Sequence, residues 1–85
     1  MPYDIIIEKP ARKEIQKINQ ADQLLIVEAI GELANEPRPI GCKKLKGRTA
    51  WRIRVGNYRI IYEIQDNVLI VTVVTVGHRR DVYKN

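Results

Sequence analysis

Three arginines stand in the stretch Trp51-Arg-Ile-Arg-Val-Gly-Asn-Tyr-Arg-Ile-Ile-Tyr62 at a spacing that could bind an anion. Two alternating runs flank Gly56-Asn57, a pair that readily supplies the positive φ angles of a tight hairpin turn. A two-residue loop sets the register: Val55 faces Tyr58, Arg54 faces Arg59, Ile53 faces Ile60 and Arg52 faces Ile61. Side chains alternate across a strand, so Arg52, Arg54 and Arg59 share one face. Trp51, Ile53, Val55, Tyr58, Ile60 and Tyr62 share the other, which is the expected core face. Like charges placed directly opposite one another are destabilising. The pair Arg54–Arg59 is therefore either a solvated, salt-screened surface or an anion site. Phosphate is the favoured anion, because arginine presents a rigid fork of donors that matches phosphate oxygens.

The last nine residues, Gly77-His-Arg-Arg-Asp-Val-Tyr-Lys-Asn85, bring the one histidine, two arginines and a tyrosine together. Chain ends are ordinarily frayed and polar. The alternative is that this tail converges with the arginine face, adding groups for stacking and proton transfer. Glycoside hydrolysis would require two acids, and nucleophilic serine or cysteine chemistry a paired base, which nothing marks beside Cys42. Metal-assisted phosphoryl transfer would require carboxylates, scarce in this half of the chain. RNA cleavage without metal or cofactor suits the residues better. There the ribose 2′-OH attacks its own phosphodiester, and the protein supplies orientation, charge stabilisation and proton transfer.

The charge distribution agrees with a polyanionic partner. The net charge is +5, yet residues 1–36 carry four basic and seven acidic side chains while residues 37–85 carry eleven and three. Between Glu36 and Glu63 there is no acid, only Arg38, Lys43, Lys44, Lys46, Arg48, Arg52, Arg54 and Arg59. Nucleic acid is the first expectation, acidic protein the second and anionic membrane the third. A basic membrane-surface helix is not expected, since the basic half reads as strands. The single cysteine excludes an internal disulfide, and one histidine makes a protein-only zinc site implausible. The opening Met-Pro-Tyr-Asp-Ile-Ile-Ile is too soon interrupted by charge to be a signal peptide, and no apolar run reaches membrane-spanning length. A small cytoplasmic protein follows.

Residues 1–85 make one domain. Tyr3 to Glu8 reads as a first strand. Pro10 opens a helix to about Ile18, with Ala11, Ile15 and Ile18 as its apolar stripe. Asn19 caps a second helix, with Asp22 near its positive end and Leu24, Ile26, Val27, Ile30, Leu33 and Ala34 along it, ending before Pro37. Gly31 weakens that helix by about 1 kcal/mol relative to alanine, and close packing on the sheet is its expected reason. Residues 36–49 read as a basic loop anchored by Leu45. Asp66-Asn67 signals a second two-residue turn, and the apolar run Val68–Val76 a central strand covered on both faces or awaiting a partner. The expected fold is α+β: strand–helix–helix–three antiparallel strands, with two helices on one face of a small, mostly antiparallel sheet.

Lys43-Lys-Leu-Lys-Gly47, the hairpin 51–64 and Val76-Gly-His-Arg-Arg-Asp-Val-Tyr83 together resemble the RelE branch of the RelE/ParE toxin superfamily. The resemblance spans essentially the whole chain and implies a RelE-like fold. It implies a metal-free endoribonuclease that cuts mRNA in the ribosomal A site, neutralised by a cognate RelB-like antitoxin, with operator DNA bound only through the toxin–antitoxin complex. It also implies residue roles. Arg52 and Arg54 fall where such toxins place basic residues on the second strand, one of them proposed as general base. Arg59 and Arg79 match arginines at the scissile phosphate, and Tyr83 the tyrosine that stacks on a base. Lys43, Lys44, Lys46 and Arg48 resemble the basic loop on rRNA and mRNA backbones, and Arg80 joins these RNA contacts.

Two departures accompany the resemblance. Better-studied members carry lysine at the position of Arg52, and arginine does not readily release its proton. Histidine titrates near pH 6.5, so His78 is the expected substitute, in catalysis or as a phosphate or structural contact. The chain also ends two residues after Tyr83, so the C-terminal helix of longer members is not expected. Two other functions stay open: a ParE-like toxin that poisons gyrase, and a non-catalytic module binding RNA or protein.

Overall fold

A computed structural model describes residues 2–78 of the chain. In order these form β1 (Asp4–Ile7), α1 (Lys9–Gln16), α2 (Gln20–Glu32), β2 (Lys43–Lys44), β3 (Ala50–Val55), β4 (Tyr58–Gln65) and β5 (Ile70–His78). The five strands make one sheet in the order β1-β5-β4-β3-β2, antiparallel except for β1 beside β5. The expected α+β architecture is therefore present, with one added element. The two-residue β2 lies inside the segment read as loop, too short for any periodicity to announce.

Both helices pack on one face of the sheet. Ala11 and Ile15 of α1 and Ile26 and Ile30 of α2, followed by Leu33, meet Ile53, Ile60, Tyr62, Val71, Val73 and Val76. Pro10 sits in the first turn of α1, where its missing donor is not needed. The Asn19 side chain accepts the Asp22 N–H at 3.0 Å and closes the start of α2. On β5 the buried valines are spaced unevenly. Ile61 pairs with Thr75 but Tyr62 with Val73, leaving Val74 as a bulge. That extra residue returns Val71, Val73 and Val76 all to the helix side, which strict alternation would not allow.

Several sequence expectations need correction. Only Gly56 of the hairpin turn has positive φ (58°) among its two residues. The second turn spans four residues, 66–69, with Leu69 at φ 55°, so Val68 and Leu69 belong to the turn and not to the strand. α2 buries Ile26 and Ile30 but leaves Leu24, Leu25 and Val27 more than half exposed. Gly31 is not packed on the sheet, for a Cβ added there would meet nothing within 4 Å.

The long connection from α2 to β2 is held by a polar clasp. Arg38 donates to both carboxylate oxygens of Asp66 at 3.2 and 2.9 Å, and the Tyr3 hydroxyl donates to the same carboxylate at 2.6 Å. Arg38 also lies over the Trp51 ring, its guanidinium carbon 5.1 Å from the centroid. Beneath it the buried Tyr62 hydroxyl donates to the Pro37 carbonyl at 2.7 Å. Burial holds this phenol well above its usual ionisation range. Arg38, counted with the partner-facing cations in the sequence, thus has a structural role.

Two measurements check this account. Gly31→Ala should stabilise the protein by about 0.5–1 kcal/mol, read from the urea midpoint, because the site is open and helical. Hydrogen bonds from Arg38 and then Tyr3 depress the Asp66 carboxyl from 3.8 to about 2. A depressed folded-state value means the clasp stabilises fully above the ordinary value and is lost as pH falls through the depressed one. The melting-temperature gap between wild type and Asp66→Asn should hold steady above about pH 4 and close toward pH 2.

Candidate functional site

The hairpin register is the one expected from its two-residue loop, with Arg54 opposite Arg59 and Arg52 opposite Ile61. The arginine face is the side of the sheet away from the helices. It is not a solvated surface, since Arg52 is 6% and Arg59 2% exposed, while Arg54 is exposed. Ile61, also buried, stands opposite Arg52 and two residues from Arg59, where arginine stems can cover apolar surface. The Arg52 Nε is enclosed and has no hydrogen-bond partner among the described residues. An unsatisfied donor on a buried cation is costly, and an anion placed there would relieve the cost.

β2 adds a fourth cation to this face. Lys43 pairs with Arg52 and Lys44 with Trp51, so Lys43 stands beside the arginines and Lys44 on the other face. Two neighbouring cross-strand pairs, Lys43–Arg52 and Arg54–Arg59, thus join like charges. Gly77 lies opposite Arg59 on the far strand and adds no side chain there.

A cleft of about 520 Å³ runs along the β3 edge beyond the end of β2. Its lining joins Lys43, Arg52 and Arg54 from the arginine face to Ile53 and Val55 from the helix face of β3, and to Ala29 and Glu32 of α2. Pro39, Ile40 and Gly41 complete it, from the segment that the Arg38 clasp secures. Glu32 was not singled out in the sequence. Nothing in the spacing of α2 separates it from Glu28; its place in the cleft arises from how α2 packs on β3.

The remaining predicted residues fall in different places. Lys46 and Arg48 lie in the β2–β3 connection around Gly47 (φ 71°), where the Leu45 N–H donates to the Ala50 carbonyl at 2.8 Å. This connection lies at the opposite end of the hairpin from the Gly56 turn. His78 pairs with Tyr58, and the two rings meet edge-on at 5.9 Å. That pairing places His78 on the helix side of the sheet, across from the arginines it was expected to serve. Period-two alternation carried one residue past Gly77 decides this. Arg79, Arg80 and Tyr83 lie outside the described residues.

A two-helix, five-strand domain with a cleft lined by Lys43, Arg52 and Arg54 can be compared with known proteins. The family described as ParE toxin of type II toxin-antitoxin system, parDE, matches residues 5–83. Toxin RelG of Mycobacterium tuberculosis is 34% identical over 87 residues, covering 99% of either chain. A putative RelE-like toxin protein of Escherichia coli is 33% identical over 88 residues, covering 98% of this chain and 92% of its own. The toxin–antitoxin complex RelBE2 of M. tuberculosis superposes with a TM-score of 0.81 at 30% identity, over 93% of this chain and 100% of that one. The RelE–RelB complex of Pyrococcus horikoshii superposes at 0.84 and 26%, over 95% and 99%. The chain belongs to the RelE/ParE superfamily of type II toxin–antitoxin toxins and is of the RelE type.

The like-charge pair gives a direct stability test. Arg54→Ala should raise stability by a few tenths to about 1 kcal/mol by relieving repulsion from Arg59. Chemical denaturation of the variant beside wild type would read the difference.

Proposed function

We propose that this toxin is a ribosome-dependent endoribonuclease that cleaves mRNA in the A site and so stops translation. The observation that carries the reading is the buried Arg52, whose unpartnered Nε lies beside Arg54 and Lys43 at one cleft. Such a cluster fits one phosphodiester better than it fits a protein surface, because planar guanidinium forks match phosphate oxygens. The 2′-OH attacks the adjacent phosphorus, the bond to the 5′-oxygen breaks, and a cyclic phosphate and a 5′-hydroxyl result. Arg52, Arg54 and Arg59 hold the phosphate and offset the charge that develops on its oxygens. Arg79 joins them and Tyr83 stacks on a base, as the resemblance implies. Lys44, Lys46, Arg48 and Arg80 contact RNA backbones through charge, so binding should weaken steeply with salt.

A RelB-like antitoxin in the same cytoplasmic compartment is the inferred protein partner, since the M. tuberculosis and P. horikoshii relatives were solved as toxin–antitoxin complexes. The exposed Leu24, Leu25 and Val27 of α2 give such a partner apolar surface to cover. Operator DNA is reached only through that complex.

Primer extension on mRNA in translating ribosomes tests the reading, with wild type, Arg54→Ala and Tyr83→Phe side by side. Wild type should cut within the A-site codon, and Arg54→Ala should cut about 10²-fold more slowly or worse. Growth arrest by wild type without cuts would replace this reading with gyrase poisoning, the activity the ParE name suggests. Neither cuts nor arrest would leave a binding module.

A further inference from the structure

Cleavage of a phosphodiester leaves a 5′-oxygen that departs poorly unless it receives a proton, and a positioned acid contributes about 10²–10⁴-fold. A guanidinium does not supply that proton, because it stays charged throughout the accessible range. Arg52, Arg54 and Arg59 therefore bind and stabilise charge without donating. His78 stands on the opposite face of the sheet beside Tyr58. Among the described residues lining the cleft, only Lys43 and Glu32 carry groups that exchange protons with ease. A carboxylate at the wall accepts protons and repels phosphate, so Glu32 is a poor donor. Lys43 carries an ammonium with three protons on a flexible stem.

Its placement is specific. β2 consists of Lys43 and Lys44 alone, and its pairing puts Lys43 directly opposite Arg52. Side chains so paired have Cβ atoms about 4.5–5.5 Å apart, close enough for one phosphate to touch both. Arg52 pairs with Lys43 across the strands, and the other charged groups that line the same cleft are Arg54 from β3 and Glu32 from α2. A cation held opposite another cation destabilises the fold unless something negative comes between them.

We propose that Lys43 is the proton donor of the cleavage, not simply one of the backbone-gripping cations. This rests on the nuclease reading above. As the bond from the 2′-oxygen to phosphorus forms and the bond to the 5′-oxygen breaks, the 2′-OH proton passes to solvent water. The electron pair of the broken bond goes to the 5′-oxygen, which takes a proton from the Lys43 ammonium. The neutral amine is then reprotonated from water.

The test uses two mRNAs in programmed ribosomes, one with the natural 5′-oxygen at the scissile linkage and one with sulfur in its place, which leaves without needing a proton. Lys43→Ala should cut the oxygen substrate about 10²-fold or more slowly than wild type, yet cut the sulfur substrate at close to the wild-type rate. Lys43→Arg, which keeps the charge, should be as slow as Lys43→Ala on oxygen. Equal slowing of both substrates by Lys43→Ala would make Lys43 a phosphate-binding residue and overturn the assignment. So would full activity of Lys43→Arg. Wild type that cuts neither substrate would overturn the nuclease reading itself and the donor with it, a result distinct from wild-type cutting with an indifferent Lys43→Ala.

Discussion

The pairing of β3 with β4 across Gly56-Asn57 is the constraint on which the rest of the molecule depends. A two-residue turn fixes which residues oppose each other, and a one-residue slip would send three arginines into the core and Ile53, Ile60 and Tyr62 out of it. The slip would expose those apolar side chains and bury Arg54, which is solvated in the native register, with nothing to offset either change. The correct register is therefore held by both faces at once. Everything else is placed against it: α1 and α2 on the apolar side, β5 along β4, and β2 along the far edge of β3.

The arginine face shows a fold that accepts repulsion to keep a site. Lys43–Arg52 and Arg54–Arg59 are both unfavourable pairings. They persist because the surrounding apolar contacts over-determine the strand order. The Arg38–Asp66–Tyr3 clasp plays the complementary part, since it ties the long connection to the sheet and so sets one wall of the cleft. The clasp pairs opposite charges, whereas the cleft gathers Lys43, Arg52 and Arg54 with Glu32 as the one acid among the described lining residues. An anion placed among the cations would relieve that repulsion.

Much of the fold was legible because two periodicities carry it. The alternation in residues 51–62 yields the hairpin and both of its faces, and the stripe Ala11, Ile15, Ile18 yields the first helix. The misreadings share one cause, which is that local pattern does not report what lies across from a residue. Leu24 and Val27 look like core on a helix whose other side packs. Gly31 looks like a close approach although the space around it is open. The β5 bulge at Val74 has no sequence mark, because every residue around it is β-branched and fits a strand in either phase.

By itself the sequence determined the arginine face, the cationic half of the chain and the α+β order, since alternation, charge and capping act between neighbours along the chain. Only the tertiary structure decided that Arg52 and Arg59 are buried, that Lys43 joins them, and that Glu32 closes the cleft. It also decided that His78 stands on the opposite face of the sheet. Those facts depend on which strand lies beside which and where a bulge shifts the count. Such pairings are settled by packing over long sequence separations, where no local signal reaches.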